Sequence, residues 1–291
     1  MSAITVFWSM IIRGGHTDWT KASLDSLQGL YDGIVIGVDD REDSDEIYDI
    51  LNCYPNTILY RQHFEDFRHF GKMRQDVLDR VPPCSYTGRS DSDEVLVSNP
   101  YEIRKWLADT KPEAVNFATH YLHDVGWNKA GTVVRAGSVR IWKYGTRRWG
   151  NPVHEYPYPI NGIDEPVMSD FVFEHIKDNP AEYRADLHID LYQTEIDKGA
   201  HEFLWFQAKE YVIKGDIDKA IALCFEYLKY GVNNEKSFER ALWGMSELCK
   251  QQGDYKGLLW RLRKLVPIAP FYPGLSKYIG EAIALGGEDV A

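Results

Sequence analysis

The sequence predicts an α/β domain built on a parallel sheet, followed by an all-α domain of helical repeats. Two observations lead to this prediction. In the first half, apolar strand-like runs alternate with segments of helical periodicity, an order typical of a sheet covered by helices. From about residue 183, β-branched runs and glycines become sparse and helical periodicity dominates. We therefore predict two domains, residues 1–182 and 183–291, in this chain of 291 residues.

The runs of the first half follow one another in the order β-α-β-α-β, which is typical of a Rossmann-like sheet. Ligands of such sheets bind at the carboxyl ends of the strands, and Asp39 lies at one such end. The predicted strands are residues 4–12, 33–38, 57–60, 114–124 and 132–142, and the predicted helices are residues 18–30 and 45–51.

Two stretches of the second half repeat at an offset of 38 residues. Leu204-Trp205 followed by Gly215-Asp216 recurs as Leu242-Trp243 followed by Gly253-Asp254. In each copy we predict a helix that ends at Gly-Asp and a second apolar helix after it, and residues 271–285 begin a third pair. The pattern is similar to a tetratricopeptide unit, whose usual period is about 34 residues. A generic bundle of helical hairpins is the alternative.

Composition narrows the class of protein. A formal net charge of −11 argues against a general binder of nucleic acid or of membrane surfaces, because both need a basic surface. The cysteines form no C-x-x-C motif, so we expect buried thiols and neither disulfides nor a zinc site. No apolar run approaches the roughly 20 residues that span a bilayer, and no signal peptide is recognisable. We therefore expect a cytoplasmic protein. The cysteines are Cys53, Cys84, Cys224 and Cys249.

The most informative motif is the acidic run Asp91-Ser92-Asp93-Glu94, placed where a predicted buried segment gives way to a loop. Carboxylates at i and i+2 can bind one divalent cation, and oxygen ligands suit Mg²⁺ or Mn²⁺, which also bind phosphate oxygens. Alone, a D-x-D motif is weak evidence, because solvated acidic turns also produce it. Here other polar motifs accompany it in a characteristic order: Asp39-Asp40, Asp66 with Arg74-Gln75, and His154-Glu155.

Together these motifs resemble the GT-A-fold glycosyltransferases of family 2, in the branch with a C-terminal tetratricopeptide-like tail. The resemblance covers the whole chain. The motifs that match are Met10-Ile11-Ile12-Arg13 (MIVKNE in the family), Gly37-Val38-Asp39 (the aspartate that ends the second strand), Asp66-Phe67 through Arg74-Gln75 (DF…aRN), Asp91-Ser92-Asp93-Glu94 (DaDE), Val139-Arg140-Ile141-Trp142 (R-hydrophobic-F) and Val153-His154-Glu155 (g-hHE).

The chain departs from this family at three places. Arg13-Gly14-Gly15 replaces K-N-E, Gln75 replaces asparagine, and residues 86–90 are more polar than the usual strand before D-x-D.

The resemblance implies transfer of a sugar from a nucleotide-sugar, most simply a UDP-sugar, with inversion at the anomeric carbon. It implies that Mn²⁺ or Mg²⁺ neutralises the departing diphosphate. The donor-binding residues would be Asp39, Arg74, Asp91, Arg13, Asp66 and Arg140, and the metal ligands Asp93, Asp91 and His154.

Three of these residues have simpler structural alternatives. Asp39 could cap a helix that begins near residue 43. Arg74 could form a surface pair with a residue one helical turn away. His154 could be a hydrogen-bonded core histidine.

The transfer also needs a general base that removes the proton of the acceptor hydroxyl. Glu155, Glu94 and Asp124 are the candidates, and the sequence does not choose among them. We favour Glu155 because its neighbour His154 would place it beside the metal.

Residues 125–154 contain six cations and no acid, in a chain that is otherwise acidic. We expect these cations to flank the catalytic end and to contact an anionic acceptor such as a phosphorylated glycan, a teichoic-type polymer or DNA, and we expect the interleaved tryptophans to stack on sugars or bases. The alternative is that some cations cover sheet strands and one binds the donor diphosphate. The residues are Lys129, Arg135, Arg140, Lys143, Arg147 and Arg148, with Trp127, Trp142 and Trp149.

Two other functions compete with the transferase. One is a binding or adaptor protein whose sheet domain has lost catalysis, which the altered K-N-E loop favours. The other is a nucleotidyltransferase, which would release pyrophosphate. For the transferase we expect a glycan, protein or polyanionic acceptor, and a helical tail that presents the acceptor or forms a homodimer.

Overall fold

The computed structural model describes residues 4–13, 17–42, 45–121, 134–153, 155–163, 165–176, 182–230, 235–270 and 272–286. The chain divides into two compact units, Met1–Asn179 and Pro180–Ala291.

The first unit is built on a mixed sheet. Among the described residues, eight strands lie in the order 3-2-1-4-7-6-10-5, and strands 8 and 9 form a separate two-stranded sheet. The strands are β1 (Val6–Arg13), β2 (Gly33–Asp39), β3 (Thr57–Gln62), β4 (Tyr86–Arg89), β5 (Glu94–Leu96), β6 (Ala114–Tyr121), β7 (Val134–Lys143), β8 (Arg147–Gly150), β9 (Tyr156–Pro159) and β10 (Val167–His175).

The large sheet is parallel in one half and mixed in the other. Strands β1 to β4 run parallel, and β10 runs parallel to β6. Strand β7 lies antiparallel between β4 and β6, and β5 pairs antiparallel with β10. The parallel pairing predicted for the first three strands is confirmed. Strand β7 departs from it, because a strand that turns back beside its predecessor needs no crossover helix.

Helices cover the sheet. All seven residues of β2 are buried, as expected for a strand enclosed on both faces. Ile34 and Ile36 join a core that contains Trp8, whereas Val35 faces a second cluster with Trp142. The helices are α1 (Thr17–Ser26), α2 (Asp45–Asn52), α3 (Phe64–Phe67), α4 (Phe70–Asp79) and α5 (Pro100–Thr110). The predicted α/β sheet followed by helices is confirmed.

The second unit is helical, and its two predicted helix pairs are present. Gly215 and Gly253 both have positive φ angles, which end the first helix of each pair. The carboxylates of Asp216 and Asp254 then accept backbone hydrogen bonds from Lys219 and Gly257 and begin the second helix. The helices are α6 (Glu182–Asp197), α7 (Phe203–Ile213), α8 (Ile217–Lys229), α9 (Glu235–Gln251), α10 (Tyr255–Leu265) and α11 (Pro273–Ala284).

The cysteines differ in burial. Cys224 and Cys249 are buried free thiols in the helical unit, as predicted, while Cys53 is exposed. Within the described parts of the chain, no helix is both long and apolar enough to cross a bilayer.

Gly88 leaves room for the ring of Trp8, its partner on β1. A Cβ at Gly88 would lie 2.0 Å from the ring of Trp8, which is fully buried and has little room to move. We expect Gly88→Ala to destabilise the protein by about 1–3 kcal/mol or more through overpacking. Thermal unfolding followed by circular dichroism measures this.

Gly280→Ala is the control. A Cβ at Gly280 in α11 meets no atom within 4 Å. Because alanine is the better helix former, this variant should be as stable as the parent or gain about 0.5–1 kcal/mol. Equal destabilisation by the two substitutions would contradict the packing argument.

Candidate active site

The candidate site lies where the strand order of the sheet reverses. The chain proceeds from β1 outward to β2 and β3, and then β4 pairs on the other side of β1. In open α/β sheets, ligands bind in the crevice at the carboxyl ends of the strands at such a point. Asp91 and Asp93 follow β4 directly at this edge, and Asp39 ends β2 beside the last residue of β1, Arg13.

The D-x-D segment is a tight turn tied to the sheet. The amide of Glu94 donates to the carbonyl of Asp91 at 3.2 Å, and the amide of Asp91 donates to Oε2 of Glu94 at 2.8 Å. Just before the turn, Nε1 of Trp8 donates to Oγ of Ser90 at 2.9 Å. After it, the carbonyl of Asp93 accepts from the amide of Ile176 at 2.9 Å. The turn is therefore anchored on both sides.

Helix α4 places Arg74 in the site. Gly71 packs against the segment after β8, since its amide donates to the carbonyl of Asn151 at 3.1 Å, and a Cβ there would be 2.4 Å from the same oxygen. The side chain of Gln75 accepts from the amide of Trp149 at 2.7 Å. These contacts hold α4 beside the loop that carries Glu155.

Two buried arginines meet Asp91. A guanidinium nitrogen of Arg74 donates to Asp91, and Nη1 of Arg89 lies 3.8 Å from the same carboxylate. Burial disfavours the charge of Asp91, but the cations Arg74, Arg89 and Arg140 outweigh it and hold the pKa of Asp91 well below its usual range. The guanidinium carbons of Arg74 and Arg89 lie 5.1 and 5.4 Å from the ring of Trp149. The alternative of a surface ion pair for Arg74 does not hold, because its side chain is buried.

Arg89 is a site residue that the sequence analysis missed. Its Nε donates to the carbonyl of Val139 at 3.1 Å. Burial and the neighbouring Arg140 lower the pKa of Arg89 to about 10, a value at which it is still a cation at neutral pH. The polar composition of residues 86–90 was the available signal, since a charge in a buried strand needs a partner.

Glu94 and Arg140 form a buried ion pair. Both carboxylate oxygens of Glu94 accept from Arg140, and Nη2 of Arg140 also donates to Oγ1 of Thr119 at 2.7 Å. The side chain of Arg140 is 1% exposed and that of Glu94 is 2% exposed. The structure therefore argues against Glu94 as the general base and against direct contact of Arg140 with the donor, because both groups are already bound to each other.

Glu155 is better placed for proton transfer. Its Oε2 lies 3.8 Å from Nε of Arg74, and its side chain is 16% exposed. The negative charges of Asp91 and Glu155 raise the pKa of Arg74, although burial opposes this. Asp124 and His154 lie outside the described residues.

His175 is a second residue that the sequence analysis missed. It ends β10 opposite Glu94, and its Nε2 lies 3.5 Å from Oδ2 of Asp93. Burial disfavours its charge, but the hydrogen bond with Asp93 and the nearby acids raise the pKa of His175. The run Phe171-Val172-Phe173 was the signal for this strand.

Asp39 is buried, and its carboxylate is already bound by Arg41. Its carboxylate accepts hydrogen bonds from the side chain and the amide of Arg41, whose guanidinium lies 3.5 Å from the centre of the Phe64 ring. A ligand that uses Asp39 must share it with Arg41 or displace it. The side chains of Arg13 and Asp66 lie outside the described part of the chain.

The expectation that the cations of residues 125–154 flank the catalytic edge was wrong for Lys143. Strand β7 runs antiparallel to β4, so Lys143 pairs with Tyr86 at the opposite edge and forms an ion pair with Glu113. Arg147 is buried and donates to the carbonyl of Pro157 at 2.7 Å, and Trp142 is fully buried in the core. Arg148 is exposed, while Lys129 and Trp127 lie outside the described residues.

The D-x-D turn does not form a closed metal cage. Among the residues that the structure describes, no three His, Cys, Asp or Glu side chains are grouped to hold an ion. Asp91 and Asp93 supply two carboxylates, which suffice for an ion such as Mg²⁺ that takes its remaining ligands from phosphate and water. These two carboxylates therefore fit a Mg²⁺ or Mn²⁺ ion that is also bound by phosphate. They do not fit an ion held by protein ligands alone.

The comparisons with known proteins give weak likenesses. No family model and no curated protein matches the sequence. Among solved structures, the chain is similar to TarS 1-349 of S. aureus, with 9% identity, 97% of this chain and 89% of that chain covered, and a TM-score of 0.41. It is also similar to Rv0371c of Mycobacterium tuberculosis H37Rv, with 12% identity, 50% and 74% covered, and a TM-score of 0.32. At TM-scores this low, neither likeness supports a conclusion about this chain.

The Glu94–Arg140 pair generates a stability prediction. We expect Arg140→Met to cost about 3–5 kcal/mol, because it leaves the Glu94 carboxylate buried without its cation. Lys143→Met, on the same strand, breaks an exposed pair and should cost at most about 1 kcal/mol. Denaturant unfolding of both variants measures the difference. A similar small loss in both would show that Glu94 does not depend on Arg140.

Proposed function

We propose that the chain is a glycosyltransferase that moves a sugar from a nucleotide-sugar to a hydroxyl acceptor. The observation that carries the proposal is the position of the D-x-D turn, at the carboxyl end of β4 where the strand order reverses, with Arg74 and Glu155 beside it. A switch point in a Rossmann-like sheet is where such folds bind nucleotides. A uridine diphosphate sugar is the donor that the sequence resemblance implies.

The site suits the departure of a diphosphate. Asp93, with Asp91, would hold Mg²⁺ or Mn²⁺, and the ion would neutralise charge on the leaving group. Arg74 and Arg89 orient Asp91 and keep it ionised. Because both guanidiniums are buried and bound within the site, we assign them to positioning of the D-x-D turn.

Glu155 is the proposed general base. With Glu94 bound to Arg140, Glu155 is the remaining candidate among the residues that the structure describes. Its partial exposure lets an acceptor hydroxyl reach it, and Arg74, with Nε 3.8 Å from its Oε2, would keep it oriented. Proton removal by a positioned carboxylate typically contributes about 10²–10⁴ in rate.

One observation favours a second function, that of a binding protein without catalysis. Asp91 is already neutralised by Arg74 and Arg89, which weakens its attraction for a cation. Such a protein would bind nucleotide with little metal dependence and release no diphosphate. A nucleotidyltransferase would be distinguished by its product, pyrophosphate.

Asp93→Asn tests the metal role. We expect the substitution to abolish UDP release from UDP-sugars and to remove the enhancement of UDP binding by Mn²⁺, because the carboxylate charge is lost while the shape is kept. Isothermal titration with and without chelator measures binding, and a coupled assay measures UDP. Asp109→Asn, on the surface of α5, is the control and should change neither. Normal turnover of the parent protein in chelator would exclude the metal from the reaction.

Glu155→Gln tests the base. We expect kcat to fall at least about 10²-fold while the donor Kd changes little, because the amide cannot accept the proton but fills the same space. Steady-state kinetics and titration of UDP give the two quantities. A parallel loss of donor affinity would instead assign Glu155 to donor binding through Arg74.

A further inference from the structure

Arg41 lies at the carboxyl end of the sheet and is held firmly there. It belongs to the single 3₁₀ turn Asp40–Glu42 that follows β2. Nε of Arg41 lies 3.0 Å from each carboxylate oxygen of Asp39 and donates to them, and Nη2 donates to Oδ2 of the same group. The guanidinium carbon lies 3.5 Å from the centre of the Phe64 ring and 5.6 Å from that of Phe70. Two hydrogen-bonding nitrogens and a ring contact fix both the position and the plane of the guanidinium.

The aromatic ring beside Arg41 is itself tied to the end of β2. The amide of Phe64 donates to Oδ1 of Asp40 at 3.4 Å, and the other oxygen of that carboxylate contacts Nδ1 of His63. Displacement of Arg41 would also leave the carboxylate of Asp39, which is only 5% exposed, without its cation. Because an unpaired buried charge is costly, we expect Arg41 to stay in place when a ligand binds.

One end of the guanidinium is available to a ligand. Nε and Nη2 donate to Asp39, whereas Nη1 donates to no residue that the structure describes. The side chain of Arg41 is 22% exposed, so a ligand at this edge meets the arginine before it meets the buried carboxylate of Asp39. The N–H groups of Nη1 lie in the plane of the guanidinium, and they require an acceptor near that plane.

The position of Arg41 relative to the D-x-D turn suits the base of a nucleotide. The order β1-α1-β2-α2-β3 is the βαβαβ half that binds a mononucleotide in Rossmann-like sheets. Strands β2 and β4 flank β1, so their ends are two strand spacings apart, about 9–10 Å. This separation is comparable to the length of a ribose with its attached base. A diphosphate at the D-x-D turn would therefore place the ribose over β1 and the base near Arg41.

At this distance the edge of the base that is remote from the ribose faces Arg41. On that edge uracil and guanine carry a carbonyl oxygen, which accepts from an arginine N–H, whereas cytosine and adenine carry an amino group. An amino group facing Nη1 would set two donors against each other and leave both without an acceptor.

We propose that Arg41 selects the base of the bound nucleotide, by donating from Nη1 to a carbonyl oxygen on the edge of the base remote from the ribose. The protein then prefers the keto bases uracil and guanine to the amino bases cytosine and adenine. Asp39 and Phe64 act by holding Arg41 in place for this contact. The inference rests on the proposed function, because it requires a nucleotide at the D-x-D turn.

The experiment is isothermal titration of the full chain with four nucleoside diphosphates in the presence of Mn²⁺. UDP and CDP form one matched pair. IDP and ADP form the other, since IDP has the carbonyl of guanine without its amino group. We expect at least one keto nucleotide to bind about fivefold or more tightly than its amino partner. The two pairs together show whether the site accommodates a pyrimidine or a purine.

Substitutions test whether Arg41 causes the preference. In Arg41→Gln the amide can present either its N–H or its oxygen to the base, so the ratio of the two affinities should fall to about one. Because this variant leaves Asp39 without a cation, the double variant Asp39→Asn, Arg41→Gln removes both charges and should lose the preference as well. Lys105→Gln, exposed on α5, is the control and should keep the ratio of the parent. Circular dichroism checks that each variant is folded.

Inorganic pyrophosphate separates recognition of the base from recognition of the diphosphate. It has no base, so with Mn²⁺ it should bind Arg41→Gln as tightly as it binds the parent. Three outcomes would overturn the inference alone: equal affinities within both nucleotide pairs, a parent-like ratio in Arg41→Gln, and a loss of pyrophosphate affinity in Arg41→Gln as large as its loss of UDP affinity.

Failure of the proposed function gives a different result. A parent protein that binds none of the four nucleotides would overturn the proposed function and this inference together. A parent protein that binds them with the keto preference, but releases no UDP from UDP-sugars, would overturn the transferase and leave the role of Arg41 supported.

Discussion

The buried ion pair between Glu94 and Arg140 is the interaction on which the geometry of the first unit's site depends. It joins β5 to β7 and, through Thr119, to β6. The same Glu94 carboxylate accepts from the amide of Asp91 and closes the D-x-D turn. A buried pair of this kind contributes little net stability, but loss of one partner is costly because the other charge remains buried. The pair therefore fixes one arrangement of the turn more than it stabilises the fold.

Around this pair, charges of both signs are buried together and balance one another locally. Arg74 and Arg89 approach Asp91 from two elements, α4 and β4, and His175 approaches Asp93 from β10. Arg74 and Arg89 hold the pKa of Asp91 below its usual range, so the D-x-D turn keeps its negative charge in a fixed arrangement. The long-range charge of −11 has little influence here, because the local charges are closer and less screened.

The helical unit shows how one repeated turn supports different surfaces. The Gly-Asp turns at Gly215 and Gly253 have the same backbone and capping geometry. The side chains beyond the turns differ, since Trp205 is buried while Trp243 is exposed at a cavity. The repeat conserves the backbone that the turn requires, and the outer positions are left to vary in chemistry.

Strand and helix periodicity in the sequence, together with the Gly-Asp turns, determined the α/β sheet and the helix pairs that follow it. These are local properties, set by side-chain spacing and by backbone conformations that few residues adopt. The sequence also placed Asp39 and the D-x-D motif at strand ends. It did not show that β7 enters the sheet antiparallel, which moves Lys143 to the far edge and buries Trp142. Nor did it show that Glu94 is bound by Arg140, or that Arg89 and His175 join the site. Those partners are far apart along the chain, and only the packing of strands β4, β5, β7 and β10 brings their charges within reach of one another.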